Sequence, residues 1–220
     1  MNLIILLAVV LVNIGTGAAI EEKTLAELQG ATFLQRDAYF KPQDYLFDYS
    51  PEAKDRSVRI TEKYGSATFM QLPQNPSLSG IALGSSRFDM YPCAILQPHT
   101  HRVDGQIYVL EGHFRAGFIV QTFGKVVENK LYPGMGMVFP RGSLMYLENL
   151  SSKKNASFLA TYNSNDFGVD LMIPLLFNTV PSHITRYAMG GLTQKEYEKI
   201  KNNIPANQIY TVNRECLNQN

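Results

Sequence analysis

The stretch from about Ile81 to Tyr162 constrains the fold of this chain more than any other part of its sequence. Within it, short runs rich in Val, Ile, Phe and Tyr alternate with Gly, Pro and Asn. Such runs predict short β-strands separated by turns, and many of them at close spacing indicate an antiparallel sandwich or barrel. The predicted strands are Ser86–Tyr91, Ala94–Leu96, Gln106–Leu110, His113–Gln121, Val126–Leu131, Gly136–Phe139, Leu144–Glu148 and Ser157–Tyr162.

The segments on either side of this stretch have a different pattern. Residues 20–77 are rich in turn residues and predict irregular structure with short strands. In the last quarter of the chain, Pro181-Ser182 predicts the start of one helix, and the capping box Thr193-Gln194-Lys195-Glu196 predicts another that ends near Asn202. We expect this helical appendage to pack on a neighbouring subunit or on the open edge of the barrel.

The first residues are typical of a targeting signal. Leu3 to Val12 is an almost unbroken apolar run, and the small residues Gly15 to Ala19 follow it. This pattern predicts a signal peptide over residues 1–19, because the run is too short to span a bilayer comfortably. We therefore expect a secreted, extracellular protein that is not held in a membrane. The net charge of +1, with no basic cluster, argues against nucleic acid as a partner.

Two sequons and two cysteines bear on this expectation. The sequons Asn149-Leu150-Ser151 and Asn155-Ala156-Ser157 predict glycosylation at Asn155 and, less strongly, at Asn149. Cys93 and Cys216 are the only cysteines. In an oxidising compartment they either pair or remain as one buried thiol and one tail thiol, and their spacing does not decide between these states.

The segment Gln97–Gly112, with the sequence QPHTHRVDGQIYVLEG, carries the strongest chemical signal. His99 and His101 are separated by one residue, so they point to the same side of a strand. Both imidazoles can therefore reach one metal ion inside a barrel.

This segment resembles the first motif of the germin-like cupins, in which His-x-His is followed by a Glu and then, after six residues, by a Gly. Gly134–Gly142 resembles the second motif, Asn149 falls on its terminal Asn, and Thr161–Phe177 is similar to the segment that follows the last barrel strand. The chain is similar as well to the slime-mould spherulins. The resemblance implies an all-β cupin fold, a double-stranded β-helix or jelly-roll barrel with short C-terminal helices.

The resemblance also implies a division of the chain and an assembly. Residues 1–19 are the signal peptide, 20–77 an N-terminal extension that adds strands to the barrel, 78–163 the barrel core and 164–220 the C-terminal helical appendage. Germin-like proteins form dimers that associate into trimers, so a homo-oligomer, a dimer or a trimer of dimers, is expected.

Family members bind manganese through three His and one Glu, and here the chain departs from the pattern. The Glu position falls on Gly105 or Gln106, and the third His position falls on Met145. Only His99 and His101 are retained. Manganese is a hard ion that prefers carboxylate and imidazole ligands, so we expect it to be absent or weakly bound.

Two substitutes for the lost ligands are considered. Asp104 could replace the Glu only if the turn were remodelled, because its alternation from His101 is wrong. A site made of His99, His101 and the Met145 thioether would suit copper better than manganese, although packing is the commoner role for a Met in a barrel.

Other candidates are weaker. His113 is predicted to have a surface or turn role, and His183 is predicted to be a solvated helix residue. No catalytic residue is predicted. Four side chains are expected to line or fill the barrel interior: Met135, Met137, Phe139 and Tyr146.

Two classes of function follow. One is a non-enzymatic extracellular barrel with a structural, storage or small-ligand-binding role, like the spherulins, its ligand being small and apolar. The other is a manganese-dependent oxalate oxidase or superoxide dismutase, as the family implies. Both activities need the two ligands that this chain lacks, so the non-enzymatic class is favoured, since a fold alone does not carry activity.

Overall fold

Two antiparallel sheets face each other in the computed structural model, which describes residues 22–50, 58–72, 75–204 and 209–218. The strands are β1 (Val58–Glu62), β2 (Gly65–Met70), β3 (Gly84–Met90), β4 (Ala94–Thr100), β5 (Gly105–Glu111), β6 (Phe114–Ile119), β7 (Val126–Leu131), β8 (Gly136–Phe139), β9 (Leu144–Asn149), β10 (Ala156–Tyr162), β11 (Asp170–Leu171) and β12 (Tyr210–Val212). The first sheet has the order β1-β2-β3-β10-β5-β8, and the second has the order β11-β4-β9-β6-β7, with β12 also paired to β4. This is the predicted all-β barrel.

Short helices flank the sheets. They are α1 (Glu22–Gly30), α2 (Phe33–Tyr39), α3 (Met172–Asn178), α4 (Ser182–Ala188), α5 (Gln194–Lys201) and α6 (Arg214–Leu217). The predicted helices are present as α4 and α5, and Thr193 caps α5 with Glu196 in the predicted capping box. Among the described residues, no helix is long and apolar enough to cross a membrane. The predicted signal peptide lies outside the described residues.

The core lies between the sheets, where alternate side chains of both point inward. The ring of Phe158 on β10 stacks on Phe88 of β3 at 4.8 Å between centroids and meets Phe114 of β6 edge-on at 5.4 Å. Val109 and Leu147 are buried beside them. Each such side chain contributes about 1.5–3 kcal/mol by leaving water, so the barrel is held together mainly by apolar burial.

The eight predicted strands are all present, with ends within two residues of the prediction except in β4. The sequence predicted β4 to stop at Leu96, but it continues to Thr100 and carries both histidines. Its pairing with β9 shifts between Leu96 and His99. Pro98 lies in this irregularity, where a residue without a backbone N–H is tolerated.

The N-terminal extension contains the short strands that the sequence predicted and two helices that it did not predict. β1 and β2 join the first sheet beside β3, as short strands were expected to do. The helices α1 and α2 were not predicted. The sequence did contain a signal for α2, because Thr32 and Gln35 form a capping box at its start.

The C-terminal appendage completes the second sheet. β11 pairs with His99 and Thr100 at one end of β4, and β12 pairs with Ala94 to Leu96 at the other end. The sequence predicted only helices here, so these two short strands are a correction. Of the two expected packing sites, the structure shows contact with the barrel edge, and this pairing covers the backbone groups of β4 that would otherwise be exposed.

A C-terminal clasp, which we define as β12 together with the disulfide Cys93–Cys216, holds this edge. The structure pairs the two cysteines, which are 123 residues apart in sequence. The Glu62 carboxylate accepts hydrogen bonds from the backbone N–H groups of Ile209 and Tyr210 at 2.9 and 3.1 Å. The clasp therefore ties the strand that carries the histidines to the rest of the barrel.

Candidate functional site

A small cavity lies inside the barrel, between β4 and β9 of the second sheet on one side and β5 and β10 of the first sheet on the other. The centre of a water molecule can occupy about 20 Å³ of it, which is enough for one water-sized occupant. His99 and His101 are its only imidazoles. The remaining lining residues are Phe88, Leu96, Gly105, Gln106, Ile107, Phe139, Met145, Leu147, Phe158, Ala160 and Tyr162.

The histidine wall, formed by β4, presents both imidazoles to the cavity. His99 and His101 are only 3% and 6% exposed, and their ring centroids are 5.1 Å apart. His99 Nδ1 lies 2.7 Å from the carbonyl oxygen of Gln97, and His101 Nδ1 contacts the carbonyl oxygen of Gly168. A carbonyl can only accept, so each Nδ1 carries the proton and each Nε2 keeps its lone pair. Histidines that bind metals are oriented in this way.

Both imidazoles are neutral near pH 7. Burial lowers the pKa of His99 to about 4, helped by repulsion from His101 and opposed by the bond to Gln97. Burial also lowers the pKa of His101. The hydrogen-bonded carbonyls of Gly168 and Phe167 and the carboxylate of Asp170 act in the opposite direction, but burial is the larger effect. The wall therefore offers two neutral nitrogen donors.

The alternation of side chains along β5 shows which of Gly105 and Gln106 faces the barrel interior. Ile107 and Val109 are buried, so Gly105 shares their inward phase, whereas the Gln106 side chain is exposed. Gln106 borders the cavity, but of the two positions that the motif spacing left open, Gly105 is the one in the inward phase. A Cβ on Gly105 would lie 3.1 Å from Tyr162 Cδ1.

Tyr162 fills the space into which a side chain at Gly105 would project. It is buried at the end of β10, and its ring centroid lies 4.9 Å from that of His101 and 4.1 Å from that of Phe167. Burial raises the pKa of the Tyr162 hydroxyl, so the phenol stays protonated and supplies no anionic ligand.

Met145, which the motif spacing places at the third-His position, lines the cavity. It lies directly opposite His99 in the antiparallel pairing of β4 with β9, and it is buried. Its thioether is neutral and soft, whereas manganese prefers hard oxygen and imidazole ligands. The cavity thus has three neutral donors, two imidazole nitrogens and one thioether sulfur.

Nearby carboxylates do not replace the missing Glu. Asp104 is held at the surface, where it accepts from the backbone N–H and guanidinium of Arg141 at 3.0 and 2.8 Å and from Asn163. Asp170 is opposite Thr100 on β4, and therefore on the face away from the histidines. Within the described ranges, no three His, Cys, Asp or Glu are grouped to hold a metal. These residues do not fit the family's manganese.

The remaining histidines are at the surface, as predicted. His113 is exposed beside the ring of Tyr132, and His183 is exposed on α4. Neither is near the cavity lining.

The residues expected to fill the barrel divide into two groups. Phe139 is buried and lines the cavity, and Met137 packs against the core. Met135 is exposed, and Tyr146 alternates with the inward Met145, so it lies on the outer face, where its hydroxyl donates to Glu128. The prediction for Met135 and Tyr146 was wrong because strand phase and turn position were not resolved from sequence.

The two predicted glycosylation sites differ. Asn149 is fully buried, and its Nδ2 donates to the carbonyls of Met90, Tyr91 and Lys154. A glycan on this nitrogen is incompatible with these bonds, so the prediction for Asn149 was wrong. Asn155 is exposed in the loop before β10, and its glycosylation stays a prediction.

Sequence reasoning missed two groups that shape the site. The inward position of Tyr162 follows from its place in β10, two residues after buried Ala160, so strand phase could have found it. The carbonyl of Gly168 that orients His101 has no side-chain signal and depends on tertiary structure.

Comparison with known proteins agrees with this architecture. The cupin family model matches residues 51–186. A germin-like protein subfamily 2 member 3 from Arabidopsis thaliana is 31% identical over 74% of this chain and 74% of its own length. Spherulin-1A from Physarum polycephalum is 25% identical over 87% of this chain and 76% of its own length.

A solved structure has the same fold. The structure of oxalate oxidase in complex with the substrate analogue glycolate superposes with a TM-score of 0.64 at 20% identity, covering 73% of this chain and 80% of that one. At this identity the likeness concerns the fold. Together with the family match and the sequence relatives, it leads to one conclusion: the chain belongs to the cupin family, among the germin-like proteins and spherulins.

Proposed function

We propose that this chain is a secreted cupin that acts as an extracellular structural or storage barrel, without the manganese redox chemistry of a germin-type oxidase or dismutase. The observation that carries the proposal is the charge of the cavity. His99, His101 and Met145 are neutral donors, and Gly105 leaves the carboxylate position empty of a side chain. A divalent manganese ion there would have no anionic ligand in an environment of low dielectric constant.

The size and polarity of the cavity also argue against oxalate as a substrate. A dicarboxylate needs cationic or hydrogen-bonding partners, but the lining residues include no Lys or Arg. The space open to water centres, about 20 Å³, is smaller than such a substrate. The same limit favours a structural or storage role over binding of an apolar ligand larger than a few atoms.

Secretion and self-assembly are part of the proposal. The apolar run from Leu3 to Val12 supports export, and a disulfide is typical of an oxidising compartment. Tyr108 and Val138, 50% and 62% exposed, lie with Leu110 on the outer face of β5 and β8. Exposed apolar residues grouped on a sheet face support a homo-oligomer, a dimer or a trimer of dimers. Light scattering at micromolar concentration tests this assembly.

The test of the function is elemental analysis of protein secreted from a eukaryotic host and purified without added metal. We expect manganese far below one ion per chain and no oxalate oxidase or superoxide dismutase turnover. The matched control is the variant with both His99→Ala and His101→Ala, which should give the same manganese content. Near-stoichiometric manganese with turnover, both lost in this variant, would contradict the proposal.

A further inference from the structure

We propose that His99, His101 and Met145 form a three-ligand site for copper(I) inside the barrel. The inference rests on the proposed function, because it requires a cavity that is not used by manganese. It assigns to the same cavity a ligand of a different class, a soft monovalent cation.

The separation of the two imidazoles suits a shared ion. Two rings that bind one metal through Nε2 at about 2.0 Å, with a near-tetrahedral angle between them, have centroids about 5 Å apart. The centroids of His99 and His101 are 5.1 Å apart. The observed separation of the two rings is therefore the separation that a shared ion requires.

Both rings are already oriented for binding. The Nδ1 bond of His99 ends on Gln97 of the same strand, and that of His101 ends on Gly168, in the loop that follows β10. In both rings it is Nδ1, and not Nε2, that lies against these backbone carbonyls. Because both rings line the cavity, the Nε2 lone pairs are left as donors there.

Met145 supplies the third donor from the adjacent strand. Directly opposed residues of antiparallel strands have Cβ atoms about 4.5–5.5 Å apart on the same face, and Met145 is opposed to His99. Its side chain lines the same cavity. The three rotatable bonds of a Met let the sulfur adapt to an ion placed between the rings.

Charge and softness select copper(I) among metal ions. Thioether and imidazole ligands suit copper(I), whereas hard divalent ions prefer carboxylates. A monovalent ion brings half the charge of manganese(II) into a cavity without an anionic ligand, so its burial is less costly. The surrounding Ile107, Leu147 and Phe158 are apolar and restrict additional water ligands, which favours the low coordination number of a three-donor site.

The test is an anaerobic titration of metal-free protein with copper(I) against a chromophoric copper(I) chelator. We expect the wild-type chain to take up about one copper(I), and Met145→Leu, which keeps the volume and removes the sulfur, to bind about 10-fold or more weakly. The control Met137→Leu, which removes a thioether outside the cavity lining, should bind like the wild type. Copper X-ray absorption should show one sulfur neighbour in the wild type and none in Met145→Leu.

Three results would overturn the inference: no uptake by the wild type, equal affinity in Met145→Leu, or no sulfur neighbour. If Met145→Leu does not fold, as judged by thermal unfolding, His101→Gln provides the same affinity test. Manganese titration and turnover assays on the same preparation separate this inference from the proposed function. If the protein takes up neither copper(I) nor manganese, only the copper site is rejected. If it takes up stoichiometric manganese and shows turnover, both the proposed function and the copper site are rejected.

Discussion

The wall formed by β4 and the wall formed by β5 and β10 face each other across one cavity, yet imidazoles come only from the first. On β4, His99 and His101 satisfy their Nδ1 protons with backbone carbonyls. On the opposite wall, Ile107 and Phe158 are buried by packing alone. Buried polar groups are tolerated when they are hydrogen-bonded, so the histidines can persist without a metal. Two buried imidazoles can thus be held by backbone hydrogen bonds on one wall while the facing wall is apolar.

The two walls also differ in how they are held. The apolar wall is fixed by contacts inside the core, such as the stack of Phe158 on Phe88. The edge of the histidine wall is covered by β11 and β12 and tied by the disulfide Cys93–Cys216. Substitutions in the apolar wall should therefore act through lost packing, and substitutions at the histidine wall through lost edge pairing and cross-linking.

The largest effect is expected from Phe158→Ala on the apolar wall. Phe158 is 1% exposed, and its truncation leaves a cavity among packed rings, so the free energy of unfolding should fall by about 3–5 kcal/mol. Urea denaturation measures this loss. Phe123→Ala is the control, since Phe123 is fully exposed and its loss should matter by less than about 0.5 kcal/mol. A similar small effect for Phe158→Ala would show that apolar burial does not hold this wall.

Removing the clasp should affect the histidine wall. In the double variant Cys93→Ala with Cys216→Ala, the free energy of unfolding should fall by about 2–5 kcal/mol, because the cross-link no longer restricts the unfolded chain. Hydrogen exchange should accelerate in β4 and β12 more than in β5 and β10. Wild-type protein in reductant should behave like the variant. Uniform acceleration in all four strands would remove the proposed difference between the walls.

The histidine wall should make the metal-free protein sensitive to acid. The pKa of His99 is about 4 in the folded protein, below its ordinary value of 6.5. The unfolded chain therefore binds more protons between these values, so stability falls as pH decreases from about 6.5 to about 4, by about 3 kcal/mol in all. Urea denaturation at a series of pH values measures this loss. His99→Gln should flatten this part of the curve, and parallel curves for the two proteins would contradict the prediction.

Restoring the family's two missing ligands should lower the free energy of unfolding by a smaller amount. Adding Gly105→Glu and Met145→His supplies a carboxylate and a third imidazole, so manganese should bind near-stoichiometrically, as measured by elemental analysis. The new side chain at Gly105 crowds Tyr162 and should cost about 1–3 kcal/mol. Gly105→Gln with Met145→His is the matched control, because it crowds equally but brings no charge. Equal manganese content in both variants would show that the anionic ligand is not the limiting factor.

The sequence was sufficient for the parts of the site that depend on spacing. The strands with regular apolar runs were predicted to within two residues, and the position of Met145 beside His99 followed from the motif distance. Local pattern was insufficient where a neighbour decides the structure. Pro98 made β4 look shorter than it is, because a strand can absorb a proline at an irregular pairing.

Other features depend on contacts distant in sequence. The strands β11 and β12 are too short to have a recognisable period and exist because the edge of β4 is available to them. The choice between Gly105 and Gln106 needed the phase of β5, which a one-residue change in the preceding turn reverses. The contact of His101 with Gly168 spans 67 residues, and a single sequence contains no local trace of it.

The long reach of the clasp has a consequence for the order in which this chain folds. β6 and β7 are neighbours in sequence and can pair early, whereas β4 must wait for β12, which lies more than 100 residues further along the chain. Until that contact forms, β4 remains an unpaired edge. A chain caught at this stage offers β4 to the β12 of a second copy, and the pairing that closes one barrel would then join two by strand exchange.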